Sequence, residues 1–176
     1  MKINSFLFFI FLLFNSNKAF CKDYPVNKII TLDINTSINP GVHSYLKQGF
    51  QEAKEKNYDS LLININTPGG LVSTTKDIIT LIGKSPIPVI IRVYPEGASA
   101  TSAGAIISSS AHILLMSPGT NIGAATPINS DGDIEDKDLR NKAVNDLVAL
   151  VSSLAEARGR SVKSFREMVE LSLIHI

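Results

Sequence analysis

The chain has 176 residues, 44% hydrophobic and 19% charged, which is typical of one globular domain and excludes a disordered chain. Its formal net charge of +1 indicates neither a nucleic-acid partner nor an anionic membrane surface, so we expect no nucleic acid to bind. A single cysteine, Cys21, excludes a disulfide framework, and the three histidines lack metal-ligand spacing. We therefore expect no metal and no other cofactor.

The N-terminal segment has the pattern of a secretory signal peptide. Met1-Lys2 is followed by an apolar run at residues 6–14, which is too short for the roughly 20 residues of a membrane-spanning helix. Ala19-Phe20-Cys21 then provides a small-x-small cleavage site. We expect a signal peptide over residues 1–21 and export to the periplasmic or extracellular side. A lipoprotein anchor on Cys21 and an uncleaved signal anchor are the alternatives.

Beyond the signal peptide, short apolar runs alternate with segments of helical periodicity. Strands are predicted at residues 28–34, 60–66, 88–94 and 112–116. Helices are predicted at residues 40–56, 73–83, 101–111 and 141–158. Strands rich in Val, Ile and Leu that are separated by helices are typical of parallel βαβ units. The sequence therefore predicts an α/β domain with a largely parallel sheet.

The last six residues, 171–176 (LSLIHI), end the chain without a cap or a polar tail. One back-translation of these six residues is the transposon end used in sequencing libraries. We therefore expect residues 171–176 to derive from a sequencing adapter, which leaves a domain over residues 22–170 that is cut short. A natural helix end is the alternative, and we assign no function to His175.

Two segments of small residues follow predicted strands. Gly69-Gly70 ends the second strand, and residues 97–104 (GASATSAG) end the third. In a parallel α/β sheet, ligands bind outside the carboxyl ends of the strands. Ser102, at the start of a helix, could act as a nucleophile, with the N–H groups of Gly70 and Ala103 stabilising an oxyanion. From the residues alone, tight helix packing and a simple glycine turn explain the same pattern.

The segments NTPGG (66–70), GASATSAG (97–104) and MSPGTNIGAATPI (116–128) resemble the membrane-bound serine proteases of the NfeD family over residues 29–169. These proteases are relatives of the Clp peptidases and of signal peptide peptidase A. The resemblance implies a Clp/crotonase-like fold of repeated ββα and βαβ units. It also implies a homodimeric endopeptidase with a Ser-Lys dyad, which cleaves hydrophobic segments such as the C-termini of stomatin-like membrane proteins.

The resemblance also implies roles for individual residues. It places the nucleophile at Ser102 and the oxyanion donors at Gly70 and Ala103, with Ser99 as a competing nucleophile. Longer family members continue into membrane spans and a small β-barrel domain. A natural protein that continues beyond residue 176 would therefore be membrane-anchored.

We do not expect a histidine to be the base that activates Ser102. Residues 121–127 contain no histidine, and His112 is separated from Ser102 by about 15 Å of helix. By resemblance the base is Lys142. A lysine with the ordinary pKa of about 10.4 is protonated at neutral pH, so burial must lower that value. Lys142 lies opposite the apolar stripe of its helix, which indicates a solvated side chain unless this face closes over the cleft in a dimer. Lys137 is the alternative base.

The predicted substrate-binding residues are Gly69 and Leu71, because an extended peptide is expected to pair with the Gly69-Gly70-Leu71 edge. Two other functions stay open. One is a non-catalytic scaffold that keeps the cleft and binds a membrane partner. The other is an acyl-CoA enzyme on the same fold, which the signal peptide argues against because acyl-CoA substrates are cytosolic.

Overall fold

A computed structural model describes residues 26–128, 132 and 134–175. The predicted signal peptide, residues 1–21, lies outside the described residues. The strands are β1 (Ile29–Asn35), β2 (Ser60–Asn66), β3 (Val89–Val93), β4 (Ser99–Thr101), β5 (Ile113–Met116), β6 (Asn121–Gly123) and β7 (Ile174–His175). The helices are α1 (Pro40–Glu55), α2 (Val72–Gly83), α3 (Ala103–Ser109), α4 (Lys137–Ala157) and α5 (Val162–Glu170).

The main sheet has four parallel strands in the order β1-β2-β3-β5. Side chains alternate across a strand, and one face of the central strands is fully covered: Leu61, Ile63, Ile65, Val89, Ile91 and Val93 have no exposed surface. The other face carries a polar row, in which Asn64 donates to Asp33 at 2.7 Å and accepts from Arg92 at 2.9 Å. The predicted parallel α/β sheet is confirmed.

Helix α1 begins where the sequence predicts it. The Asn39 side chain accepts hydrogen bonds from the N–H groups of Gly41 (2.9 Å) and Val42 (3.2 Å), and Pro40 occupies the first helical position. An asparagine N-cap satisfies N–H groups that have no partner within the helix, and proline there sacrifices no helical hydrogen bond. Leu46, one turn after Val42, is buried against the sheet.

The structure contains a second, smaller sheet of three short strands. Strand β4 pairs in parallel with β6, and β6 pairs antiparallel with β7. The predicted helix over residues 101–111 is wrong at its start, because residues 99–101 form β4 and α3 begins only at Ala103. The chain there is extended because Thr67 lies beside it: Thr67 N–H donates to Ser99 O, and Thr101 N–H donates to Thr67 O.

The C-terminal part contains elements that the sequence analysis did not predict. Helix α4 begins at Lys137, four residues before the predicted start, because Asp136 caps it by accepting from the N–H groups of Asp138 and Leu139. Helix α5 and strands β6 and β7 were also not predicted. No helix within the described ranges is long and apolar enough to cross a membrane.

Candidate active site

Ser102 occupies a backbone conformation that L residues rarely adopt, with φ 53° and ψ −114°. It lies between β4 and α3, and its neighbours fix it on both sides. Its N–H donates to Gly123 O at 3.0 Å, and its carbonyl accepts from Ala105 N and Ile106 N. Such strain costs about 1–3 kcal/mol and persists only where the surroundings determine the backbone. The sharp turn presents the Ser102 side chain to the cleft.

Gly69 packs directly against Ser102. A Cβ placed on Gly69 would lie 2.7 Å from Ser102 Cβ and 3.1 Å from its Oγ, closer than real Cβ contacts. Gly69 also has φ +126°, a region that side chains disfavour. The Thr67 hydroxyl fixes this turn, since its Oγ1 lies 3.2 Å from both the N and the O of Gly69. Gly69 is therefore buried behind the serine and does not line the cleft.

Gly70 presents its own N–H to the cleft side. Ile38 N–H donates to Gly69 O at 2.7 Å, and Leu71 N–H donates to Ile38 O at 2.9 Å, which forms a parallel bridge centred on Gly70. In such a bridge the flanking residues bond to the partner, so the N–H and C=O of Gly70 point the other way. Of the predicted Gly69-Gly70-Leu71 edge, only Gly70 keeps its main-chain groups for a substrate.

Ala103 supplies a second N–H beside the serine. It is the first residue of α3, and the first N–H groups of a helix have no acceptor within that helix. Ala103 directly follows Ser102 in the chain. The structure thus places two of the predicted residues, Gly70 and Ser102, in the lining of one cleft, with Ala103 adjacent to Ser102.

The cleft in front of Ser102 has a volume of about 830 Å³. Its lining includes Gly70, Leu71, Ser102, Thr126, Ile128, Arg140 and Glu170. Leu71 and Ile128 are more than half exposed and give the cleft apolar walls. The Glu170 carboxylate pairs with Arg166 at 2.8 Å. Such a cleft can hold an extended peptide with apolar side chains.

Neither predicted base lines this cleft. Lys142 and Lys137 are both exposed on α4, so Lys137 lies in a helix and not in a loop. Residues three or four apart share a helix face, which places Lys137 on the face of Arg140, the α4 residue that lines the cleft. Lys142 instead shares a face with Asp146, which pairs with Lys76 of α2 at 2.6 Å. The structure does not bring Lys142 to Ser102.

The other serine and histidine candidates lie elsewhere. Ser99 is half-buried in β4 and is not part of the cleft lining. The hydroxyls of the buried Ser109 and Ser110 donate to helix carbonyls at 2.6 Å. His112 Nδ1 accepts from Val89 N–H at the start of β3, which is the amino end of the sheet. The prediction that His112 is remote from Ser102 is confirmed.

Two arginines that the sequence analysis did not single out hold the far end of α3. Arg160 NH1 donates to Ser109 O at 3.2 Å, and Arg158 Nε donates to Ser110 O at 3.1 Å. Burial lowers the pKa of Arg160, and the charge of Arg158 lowers it further. Arginine is suited to this position because it stays protonated and its planar group donates hydrogen bonds to carbonyl oxygens. These contacts fix α3, and with it Ser102.

A family model for the NfeD1b N-terminal domain matches residues 28–174. Membrane-bound protease PH1510 of Pyrococcus horikoshii is 39% identical over 124 residues, which are 69% of this chain and 28% of that protein. Membrane protein NfeD1b of Bacillus subtilis is 35% identical over 109 residues, 62% of this chain and 24% of that protein. The chain therefore spans about a quarter of the length of these relatives.

Solved structures agree with the fold. A serine-to-alanine variant of the 1510-N membrane-bound stomatin-specific protease superposes with a TM-score of 0.78 at 33% identity, covering 86% of this chain and 73% of that chain. A lysine-to-alanine variant of 1510-N, in complex with a substrate peptide, gives 0.77 at 32% identity, covering 85% and 69%. ClpP1 from Listeria monocytogenes, 20% identical over 82% of this chain and 81% of its own, gives 0.65. The predicted Clp-like fold is confirmed.

Proposed function

Because the chain belongs to the family of NfeD1b N-terminal domains, we propose that it is a serine endopeptidase with Ser102 as its nucleophile. One observation carries the proposal: Ser102 is held at positive φ at the start of α3, and it lines the same cleft as Gly70. Acyl transfer requires a nucleophile next to two preorganised donors, and we assign these donors to the N–H groups of Gly70 and Ala103. Relatives with protease names support the same activity.

The proposed reaction uses these groups in turn. Ser102 Oγ attacks the scissile carbonyl carbon while its proton passes to a lysine amine. The carbonyl oxygen becomes an oxyanion that accepts hydrogen bonds from Gly70 N–H and Ala103 N–H. When the intermediate collapses, the C–N bond breaks and the amine leaves with the proton from the lysine. Water then attacks the acyl-enzyme by the same route and restores Ser102.

We assign the base to Lys142 rather than Lys137. In the 1510-N structures one variant changes a serine and another changes a lysine, and the separation of those two positions is within one residue of that between Ser102 and Lys142. Lys137 is six residues too close to Ser102. For Lys142 to act, α4 must turn this face toward the cleft, or the second subunit of a homodimer must close over it.

The substrate that we propose is an apolar peptide segment of a membrane protein of the stomatin type. The name of the structural relative specifies a stomatin-specific protease, and one of its structures holds a substrate peptide. In this chain, the apolar walls formed by Leu71 and Ile128 support apolar substrate positions. The Gly70 main chain would pair with the peptide as an added strand. Export to the periplasmic or extracellular side, through the predicted signal peptide, would place the cleft on the outer side of the membrane.

The test is cleavage of a stomatin-type apolar peptide by the full chain and by four alanine variants, at Ser102, Lys142, Lys137 and Ser99. Ser102→Ala and Lys142→Ala are expected to fall to the background rate, while Ser99→Ala, a serine three residues away in β4, retains the parent rate. Circular dichroism checks that each variant is folded. If Lys142→Ala stays active and Lys137→Ala does not, the base is Lys137.

The exposed position of Lys142 favours a second candidate, a non-catalytic scaffold. Such a scaffold would bind the peptide in the cleft without cleaving it. Binding of the labelled peptide by fluorescence anisotropy, with no product from the parent chain after prolonged incubation, would replace the protease proposal with the scaffold.

A further inference from the structure

A second cavity lies at the amino end of the main sheet, between the C-terminal half of α1 and the loop that follows α2. Its volume is about 440 Å³. Its wall is largely apolar, formed by Phe50, Ala53, Tyr58, Leu81 and Ile87, and three lysines stand around it: Lys47, Lys54 and Lys84. We call it the basic cavity.

The charged side chains that line the basic cavity are all lysines. Lys47, Lys54 and Lys84 are exposed, and no carboxylate is among the cavity-lining residues that the structure describes. None of the ion pairs among the described residues includes these three lysines. Glu55, one turn after the lining residue Gln51, accepts a hydrogen bond from the Gln51 amide. The basic cavity thus combines an apolar wall with three lysines that form no ion pair among the described residues.

Helix dipoles explain part of this arrangement. Lys54 lies in the last turn of α1, and Lys84 is the C-cap of α2, where cations are favourable in any helix. Lys47 lies two turns before the end of α1 and has no such reason to be there. Stabilisation of helix ends also does not require an apolar cavity of this volume between the three ammonium groups.

The polypeptide enters the domain at the same corner. The N–H groups of Asn27 and Lys28 donate to the Asp59 carboxylate at 2.9 and 2.8 Å. Lys28 Nζ lies 4.4 Å from the ring centre of Tyr58, a wall residue of the basic cavity, and donates to Lys56 O. The apolar run at residues 6–14 precedes this corner by little more than a dozen residues. If the run is retained as the uncleaved signal anchor, it would hold this corner of the domain near a membrane.

We propose that the basic cavity is a contact site for the anionic phospholipids of a bilayer surface. The lysines at the mouth bind phosphate groups, and the apolar wall takes the first part of an acyl chain. Lysine stems cover apolar surface while their ammonium groups reach a headgroup layer. The two membrane-bound relatives are consistent with a domain held at a membrane. The proposal does not depend on the peptidase activity.

The test measures how strongly lipid vesicles protect each lysine of the chain from acetylation. The full chain, as isolated from the producing cells, is acetylated with a water-soluble reagent with no vesicles, with phosphatidylcholine vesicles, or with vesicles containing phosphatidylglycerol. Mass spectrometry gives the rate at each lysine. Each lysine near an anionic surface strengthens binding about fivefold. We expect rates at Lys47, Lys54 and Lys84 to fall about fivefold or more on phosphatidylglycerol, and to recover at high salt.

Lys76 and Lys163, on α2 and α5, are the internal controls and should change less than about twofold. Equal rates at all five lysines would overturn the proposal. Equal protection on phosphatidylcholine would also overturn it, because the contact would not depend on lipid charge. Protection without vesicles would show that a segment of the chain itself occupies the basic cavity.

A pair of matched variants tests whether the lysines act as one site. In Lys47→Gln/Lys54→Gln, the protection of Lys84 by phosphatidylglycerol should be lost. In Lys76→Gln/Lys163→Gln, which removes the same charge elsewhere, it should remain. Thermal unfolding confirms that both variants are folded, which is expected because all four side chains are exposed. Loss of Lys84 protection in both variants would mean that net charge alone attracts the chain to the vesicle.

Discussion

The contact between Gly69 and Ser102 makes Gly69→Ala a direct probe of the nucleophile. The added methyl group would lie 2.7 Å from Ser102 Cβ, whereas ordinary contacts begin at 3.4 Å. Ser102 must therefore shift by roughly 0.7 Å, because the close-packed interior offers no space behind Gly69. A displacement of about 1 Å at a reacting group costs on the order of 100-fold in rate. We expect kcat/KM to fall roughly 10- to 100-fold.

The same substitution strains the backbone, and Gly97→Ala isolates that effect. Gly97 also has positive φ (+77°), but a Cβ there meets nothing within 4 Å. A left-handed alanine costs about 1–2 kcal/mol, which lowers Tm by roughly 2–8 °C in a domain of this size. Gly97→Ala should therefore lose stability while its kcat/KM stays at the parent value.

The assay is peptide cleavage under kcat/KM conditions, with Tm measured for each variant. An unchanged kcat/KM in a folded Gly69→Ala variant would refute the reasoning, because Ser102 would then have moved without effect on the reaction. Equal losses of kcat/KM in Gly69→Ala and Gly97→Ala would refute it as well, since strain alone would explain both.

Two further predictions concern the supports of the site. Thr67→Val removes the hydroxyl that bonds to Gly69, so it should lower kcat/KM and cost about 1–2 kcal/mol of stability. Thr67→Ser keeps a hydroxyl and should keep both values near those of the parent. If Thr67→Val retains the parent kcat/KM, Thr67 does not position Gly69 for the reaction. Arg160→Ala leaves the buried Ser109 carbonyl without its charged donor and should cost about 1–3 kcal/mol in urea unfolding. The matched change Arg166→Ala, at an exposed ion pair, should cost less than about 1 kcal/mol, and equal losses would contradict the role of Arg160.

The main sheet and the cleft groups followed from local sequence signals. Runs of Val, Ile and Leu marked β1, β2, β3 and β5, and the Asn39-Pro40 pair marked the start of α1. Gly69-Gly70 and Ser102 follow strands, and parallel topology brings strand ends to one edge. The predictions of the strands and of the start of α1 succeeded because each depends on residues that are adjacent in the chain.

The parts that were not predicted depend on contacts between distant segments. Strand β4 is extended because Thr67 pairs with it from more than 30 residues away. Whether a lysine of α4 reaches the cleft depends on how that helix packs, which periodicity alone does not determine. The basic cavity was not predicted from the sequence for the same reason. The net charge of +1 is a sum over the whole chain, whereas folding brings Lys84 beside Lys47 and Lys54.

Backbone strain provides an independent argument for the location of the site. Among the described residues, four that are not glycine have positive φ: Asn57, Ser102, Ala124 and Ser172. Asn57 ends α1 in a turn, where asparagine adopts this conformation readily. Ser172 directly follows the C-cap of α5, a position where helices commonly end in the left-handed conformation. Ser102 and Ala124 both line the cleft, and each costs about 1–3 kcal/mol that packing elsewhere must offset. Ser102 and Ala124 follow the paired residues Thr101 and Gly123 of β4 and β6, so the strain is concentrated where these two strands end at the cleft, which supports a functional role for this end of the small sheet.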